Sequence, residues 1–148
     1  MKDYVGVGDY RHTAAIDLDG CLIEGAWPEL GEWMPGAVDA MFALHEAGVH
    51  LVVWTARTNP IDPWGTARNR GEVLGEIQRV RQLLDEAGLT FIPIHDHSLG
   101  KPSASIYVDD RAVRYQRRSS SWRKVVPEIL ARLDAEGAPP FPTTAGGH

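Results

Sequence analysis

Short apolar runs alternate along this chain with segments whose apolar residues recur at helical spacing. The apolar runs predict four buried strands, at residues 12–18, 49–54, 89–94 and 105–108. The helical spacing predicts three helices, one between Pro35 and Gly48, one over residues 72–87 and one within residues 121–135. Strands that alternate with helices are typical of a parallel sheet. The predicted fold class is therefore α/β, a three-layer Rossmann-like fold with a mainly parallel sheet.

The length of the chain suits one domain. Its 148 residues, 43% of them apolar, predict a soluble globular domain over residues 1–136. Residues 137–148 (GAPPFPTTAGGH) have the composition of a flexible tail. We expect no membrane association, because no apolar run approaches ~20 residues and the first residues lack a signal-peptide stretch. The single cysteine, Cys21, excludes an intramolecular disulfide and fits a cytoplasmic protein.

The net charge of −5 argues against a dedicated nucleic-acid-binding protein, since such proteins usually carry a basic stripe. The candidate stripe is the arginine-rich stretch at residues 111–124. In an acidic chain this stretch is better explained as a solvated loop and helix edge. It keeps binding of a nucleic-acid end open as an alternative.

Polar side chains follow three of the predicted strands, where the strands end. In open parallel sheets the carboxyl ends of the strands form the ligand crevice, so these side chains should meet there. Lys101 lies just before the fourth strand and is expected to reach the same crevice. The polar residues at the strand ends are Asp17 and Asp19, Thr55 and Arg57, and Asp109 and Asp110.

Four carboxylates in one crevice repel one another unless a cation intervenes. Mg²⁺ suits such a site, because it accepts one or two carboxylates together with waters and a phosphate oxygen. A carboxylate is a competent nucleophile towards phosphorus, and lysine and threonine side chains can hold the transferred group. Asp17 and Asp19 are two residues apart and Gly20 permits a tight turn, so one carboxylate can attack while the other transfers protons.

These motifs resemble the haloacid dehalogenase superfamily of phosphohydrolases. The four motifs of that family correspond here, in order, to AAIDLDGCL, LVVWTAR, the lysine of GKPSA and SIYVDDRA. The resemblance covers about residues 12–115 and implies magnesium-dependent hydrolysis of phosphate monoesters through an aspartyl-phosphate. It also implies that the fourth strand lies beside the first, with the second and third on the other side.

The resemblance assigns roles to individual residues. It makes Asp17 the nucleophile and a metal ligand, and Asp19 the general acid and base with a metal-binding backbone carbonyl. Thr55 and Lys101 would bind the phosphoryl group. Asp109 would be a metal ligand, supported by Asp110. The chain departs from many family members at Cys21, where they have threonine, and a small residue packed behind the loop is the expectation there.

The intervals between the motifs leave no room for a cap domain, so the chain resembles the capless members of the superfamily. Selectivity would then come from loops at residues 24–34 and 58–71, from a neighbouring subunit of a homo-oligomer, or from a large substrate. Within the second loop we predict Trp64, Arg68 and Arg70 as substrate-binding residues. Arg57 either contacts substrate or pairs with an acidic neighbour.

A histidine-rich run, His95, Asp96 and His97, invites a metal-binding interpretation. Adjacent residues seldom converge on one ion, so we predict a loop without a metal role, and substrate contact stays open. The expected partner of the protein is a phosphorylated small molecule or a nucleic-acid end. The alternative functions are a polynucleotide end phosphatase, a phosphotransferase, and a non-catalytic binding module of the same fold.

Overall fold

The computed structural model of the protein describes residues 9–98 and 100–137. The predicted tail lies outside these residues except for Gly137, and so do the first eight residues of the chain. Contacts divide the chain into two compact units, Met1–Asp110 and Arg111–His148. Each helix in the described ranges is too short or too polar to cross a membrane.

The described part of the first unit follows the predicted alternation of strands and helices. Its helices are α1 (Ala37–Glu46) and α2 (Arg70–Glu86), and its strands are β1 (Thr13–Ile16), β2 (Ile23–Ala26), β3 (Glu29–Trp33), β4 (His50–Val53) and β5 (Ile106–Val108). Helix α2 begins at an N-cap in which the Asn69 side chain accepts from the backbone N–H of Glu72.

The main sheet has the order β4-β1-β5, and both pairings are parallel. Ile16, the last residue of β1, is in register with Val53 of β4 and with Val108 of β5. The three strands therefore end at the same level. The predicted fold class, α/β with a mainly parallel sheet, is confirmed, and the fourth predicted strand does lie beside the first. The prediction that this fourth strand is buried was wrong, because all three residues of β5 are exposed.

The prediction of a third strand over residues 89–94 was wrong. Ile94 forms a single parallel bridge to Val53, and the backbone N–H of Ile92 turns back to the Leu89 carbonyl oxygen. Pro93 has no N–H to donate to a ladder, which limits pairing to its carbonyl and to the N–H of His95. The segment nevertheless lies beside β4, on the side of that strand opposite β1.

The interpretation of residues 24–34 as a loop was also wrong. Strands β2 and β3 form an antiparallel hairpin there, with a bulge between Ile23 and Gly25. The hairpin is largely exposed, so the strict alternation of buried and exposed positions that marks a strand is missing. It begins directly after the loop that carries Asp17 and Asp19.

The core of the first unit lies against one face of the sheet. Ile16 and Val53 project from that face and belong to one buried cluster with side chains from both helices, including Met41 of α1 and Leu84 of α2. Burial of each large aliphatic side chain is worth about 1.5–3 kcal/mol. This core fixes the strand ends from which the polar residues project.

The second unit contains α3 (Trp122–Ala135) within its described residues, and this confirms the third predicted helix. Pro127 lies inside the helix, where it removes one backbone donor. The ring of Tyr115 lies 5.2 Å from that of Trp122, measured between centroids.

Candidate functional site

Asp17 is the first residue after β1, at the level where the three parallel strands end. Its backbone N–H donates to the Val108 carbonyl oxygen at 2.9 Å, so the β1–β5 ladder extends to this residue. One of its carboxylate oxygens, Oδ1, accepts from the N–H of Leu18 at 2.9 Å. The backbone of Val108 therefore holds the main chain of Asp17, the predicted nucleophile, and the N–H of Leu18 holds its carboxylate.

The loop after Asp17 is a tight turn built on Leu18. The fully buried Leu18 side chain anchors the loop, and its carbonyl oxygen accepts from the N–H groups of Cys21, Leu22 and Ile23. Gly20 has a φ of +85°, which an L side chain rarely adopts. The turn brings the chain back towards the end of β5.

The pKa of Asp17 is raised to about 6. Burial is the main cause, and the negative charge of Asp109 is the next. The hydrogen bond from Leu18 acts in the opposite direction, while the charges of Asp110 and Asp19 raise the pKa further. The charges of the three other predicted acidic residues therefore all act on Asp17.

A candidate cation site lies beside Asp17. Ligand atoms of Asp17, Cys21 and Asp110 lie within 4.8 Å of one another. Burial and the charges of Asp17 and Asp110 raise the pKa of the Cys21 thiol to about 11, so the thiol stays protonated at neutral pH. The oxygen donors of the two aspartates, and not the protonated sulfur, are the ligands suited to a hard cation.

Thr55 follows β4 and is held in place by burial and by hydrogen bonds to neighbouring residues. It is buried, and its hydroxyl oxygen accepts from the N–H of Arg57 at 3.2 Å. Its carbonyl oxygen lies 2.9 Å from Nε2 of His97, which must carry the proton of that bond. Thr58 links the same turn to the carbonyl oxygen of His95 at 2.8 Å.

The histidine loop thus supports the turn after β4, a role that was not predicted from the sequence. His97 has a φ of +66°, unusual for a residue with a side chain, and His95 is fully buried. Burial lowers the pKa of His95, which favours the neutral ring, and its Nδ1 accepts from the N–H of His97 at 2.9 Å. No periodicity in the sequence signals such a side-chain-to-backbone link.

Asp19 forms an ion pair with Arg57, which answers the question left open for that arginine. Arg57 Nε donates to Asp19 Oδ2 and Arg57 Nη2 donates to Asp19 Oδ1, each at 2.7 Å. The Arg57 side chain is only 1% exposed, whereas that of Asp19 is 28% exposed. Arg57 pairs with an acidic neighbour in this structure.

The other predicted residues make different contacts or are exposed. The Lys101 ammonium lies over the ring of Tyr107, 4.4 Å from its centroid, so it lies beside the central residue of β5. Arg68 Nη1 donates to the carbonyl oxygen of Arg57 at 2.7 Å. Trp64 is 78% exposed, and Arg70 is the exposed first residue of α2.

The hairpin contributes Trp27, which is not among the residues predicted from the sequence. Its ring packs against two guanidinium groups, with Cζ of Arg57 at 4.9 Å and Cζ of Arg68 at 5.2 Å from the centroid. A groove beside the ring is lined by Trp27, Arg68, Glu72, Gly75, Glu76 and Arg79. The one feature of the sequence that could have indicated these contacts is that Trp27 belongs to the segment directly after the Asp17 loop.

No family model matches the chain, and no curated protein matches it. A solved structure of a conserved protein from Bacteroides thetaiotaomicron is similar over 82% of this chain and 92% of that chain, with 22% sequence identity and a TM-score of 0.47. A likeness at this level carries no argument about function.

Proposed function

We propose that this protein is a magnesium-dependent phosphohydrolase of the haloacid dehalogenase type, which hydrolyses phosphate monoesters through an aspartyl-phosphate on Asp17. One observation carries the proposal: Asp17, Thr55 and the Asp109–Asp110 pair follow three neighbouring parallel strands that end at the same level. This edge is where open α/β sheets bind their ligands.

The state of Asp17 suits a nucleophile. A pKa of about 6 leaves its carboxylate mostly ionised at neutral pH, and part of the residue stays accessible. The backbone bonds to Val108 and Leu18 limit its movement, so a substrate would meet a carboxylate that is already oriented.

The donor set fits magnesium. Carboxylates of Asp17 and Asp110 would hold the ion, with Asp109 and the Asp19 backbone carbonyl as the further ligands implied by the family resemblance. Burial, followed by the charges of the neighbouring aspartates, raises the pKa of Asp17, and the positive charge of a divalent ion held here would favour the ionised carboxylate. When bound, the ion supplies positive charge that offsets both the acidic cluster and the charge on the phosphoryl oxygens.

The reaction takes two steps. A carboxylate oxygen of Asp17 forms a bond to phosphorus while the ester P–O bond breaks. Asp19, which has to be protonated and released from its ion pair with Arg57 for this step, gives a proton to the leaving oxygen. Asp19 then takes a proton from water, whose oxygen attacks phosphorus, and the bond to Asp17 breaks. Inorganic phosphate leaves, and both carboxyl groups return to their starting states. Thr55 and Lys101 would bind the phosphoryl oxygens throughout.

The test is hydrolysis of p-nitrophenyl phosphate with magnesium, with chelator, and with the variant Asp17→Asn. We expect chelator and the variant each to abolish turnover. The control is Asp39→Asn, which removes a carboxylate from the first turn of α1 and should stay active. Acid quench during turnover should trap phosphorus on Asp17, and completed hydrolysis in ¹⁸O-labelled water should label the released phosphate and not Asp17. Retained activity in Asp17→Asn would rule out the covalent mechanism.

A further inference from the structure

The second unit carries a positive charge in an acidic protein. Residues 111–148 contain seven arginine and lysine residues and three acidic residues, a net charge of +4, whereas the whole chain has a net charge of −5. Six of the seven cations lie within residues 111–124, here called the basic segment, which contains no acidic residue. Because the charges are separated along the chain, the net charge of the whole protein does not describe how this segment interacts with polyanions.

The cations of the basic segment are exposed, and most of them have no acidic partner. All six lie at exposed positions. Five form no side-chain ion pair or hydrogen bond with another described residue, namely Arg114, Arg117, Arg118, Arg123 and Lys124. Arg132, later in α3, instead lies 4.0 Å from the carboxylate of Glu128. Exposed cations without a protein partner can bind phosphate groups without first breaking an ion pair.

Two exposed aromatic rings lie inside the basic segment. Tyr115 is 45% exposed and Trp122 is 64% exposed, and their ring centroids are 5.2 Å apart. Two hydrogen bonds close the loop between them: the N–H of Gln116 donates to Ser120 Oγ at 2.9 Å, and the N–H of Ser120 donates to the Gln116 carbonyl oxygen at 2.8 Å. The closed loop carries the arginines at positions 117 and 118, so cations and rings belong to one local structure.

We propose that the basic segment is a binding surface for single-stranded nucleic acid, on which the cations contact phosphates and the rings of Tyr115 and Trp122 stack on bases. Cations alone would suit any polyanion, including an anionic membrane. Exposed rings among the cations favour nucleic acid, because every base has a face on which an aromatic ring can stack. They favour a single strand, because the bases of a duplex are already stacked on one another. The proposal goes beyond the phosphatase reaction and does not depend on it.

The salt dependence of binding tests the role of the cations. The full chain is titrated into fluorescein-labelled oligothymidylate of about 15 nucleotides, and anisotropy is followed from about 50 mM to about 200 mM salt. We expect a plot of log K against log [salt] to have a slope of about −3, since each phosphate contact adds about 0.7. Arg114→Gln combined with Arg117→Gln and Arg118→Gln should reduce that slope by about 2 and weaken binding about tenfold or more. An unchanged slope would overturn the proposal.

Arg132→Gln is the matched control for the triple variant. It removes an arginine of the same unit, but one that already has an acidic partner in Glu128, so the slope should change by less than about 0.7. If Arg132→Gln changes the slope as much as each arginine of the triple variant does, the cations of this unit contribute equally. The assignment to the basic segment would then be wrong.

The role of the rings is tested by removing aromatic character while keeping apolar bulk. Tyr115→Leu combined with Trp122→Leu should weaken binding about 10- to 100-fold without changing the salt slope, because stacking is lost and the phosphate contacts remain. Tyr115→Phe combined with Trp122→Phe should restore most of the affinity. Circular dichroism checks that α3 is retained, and either single leucine variant gives the same test if the double variant loses α3. Equal affinities of the leucine and phenylalanine proteins would overturn the stacking role.

Two further probes separate a single strand from other polyanions. A DNA duplex of the same length should bind more weakly, and its binding should respond to the arginine variant but not to the leucine variant. Vesicles of anionic phospholipid should bind more weakly than the single strand as well. If the duplex or the vesicles bind as tightly as oligothymidylate, the surface is a general anion-binding one and the proposal fails. These measurements use no phosphatase activity, so their outcome is separate from that of the proposed reaction.

Discussion

Gly20 lies directly against the carboxylate of Asp110: a Cβ at position 20 would lie 2.3 Å from Asp110 Oδ2 and 2.6 Å from its Cγ. The loop after β1 and the end of β5 therefore approach each other more closely than any side chain at position 20 would allow. This approach is what brings Asp110 next to Asp17.

Gly20→Ala should lower activity on the order of a hundredfold, because it displaces Asp110 from the Asp17 cluster. It should also cost about 1–2 kcal/mol of stability for the left-handed backbone alone. Gly48→Ala is the matched control: its φ is +90°, but no atom lies within 4 Å of the added Cβ. Steady-state kinetics and thermal unfolding of both variants give the comparison. Equal activity losses in the two variants would mean that contact with Asp110 does not matter.

The raised pKa of Asp17 also predicts that the stability of the fold depends on pH. Because its folded pKa of about 6 exceeds the ordinary value of 3.8, the folded protein binds the proton more tightly than the unfolded chain. Stability from this group is present below about pH 4 and is lost as the pH rises through 6. At neutral pH the ionised Asp17 thus destabilises the metal-free fold.

Asp17→Asn should therefore raise the melting temperature of the metal-free protein at pH 7.5 while it abolishes activity. The gain should be on the order of 1 kcal/mol after discounting for solvent screening, or about 4 °C, and should vanish near pH 4. Asp39→Asn should show the opposite sign, because an acid in the first turn of a helix stabilises it. Thermal scans with chelator at both pH values measure the two effects. A lower melting temperature for Asp17→Asn at pH 7.5 would contradict the raised pKa.

Much of this site was predictable because its residues are tied to strand ends. Apolar runs located β1 and β4, and the carboxyl ends of parallel strands lie at one edge of a sheet, so Asp17 and Thr55 were expected at that edge. That inference needs only hydrophobic pattern and strand direction, whereas the order of the strands was implied by the family resemblance. It does not depend on which side chains touch one another.

The parts that the sequence did not predict are contacts between distant side chains and backbone. The bond from His97 to the Thr55 carbonyl and the bonds from Arg57 to the hairpin turn leave no periodic trace in the sequence. The predicted strand at residues 89–94 failed for a related reason. An apolar run indicates that its residues are buried, but not that they pair as a strand. Here Leu89 and Ile92 are buried in a turn that forms no strand pairing.

Asp19→Asn should impair the second reaction step more than the first when the leaving group is good. An activated aryl phosphate hardly needs a proton from the enzyme, whereas water still needs a base to attack the phosphoenzyme. The variant should thus accumulate phosphoenzyme, measured by acid quench after mixing with labelled aryl phosphate. The Asp39→Asn protein again provides the control. If Asp19→Asn traps no more phosphoenzyme than the unaltered protein, Asp19 is not the base.

Substrate selectivity is predicted to come from the loop between β4 and α2, whose predicted residues differ in their contacts and exposure. Arg68 donates to the carbonyl oxygens of Arg57 and Asn59, so Arg68→Ala should lower activity on all phosphates by a similar factor. The exposed Trp64 and Arg70 can instead reach a substrate, by stacking on a ring and by clamping a second anionic group.

The joint variant Trp64→Ala, Arg70→Ala should therefore narrow the differences in kcat/KM across a panel of phosphorylated metabolites and end-phosphorylated oligonucleotides. Activity on p-nitrophenyl phosphate should stay within about threefold, since loss of these two contacts to the non-reacting part of a substrate leaves the chemical step intact. Tyr10→Ala is the control, because Tyr10 is also exposed, at 58%, but precedes β1 and so lies at the opposite end of that strand from Asp17. An unchanged order of preference in the joint variant, matching that of Tyr10→Ala, would exclude these two side chains and direct the search to Trp27 and the hairpin.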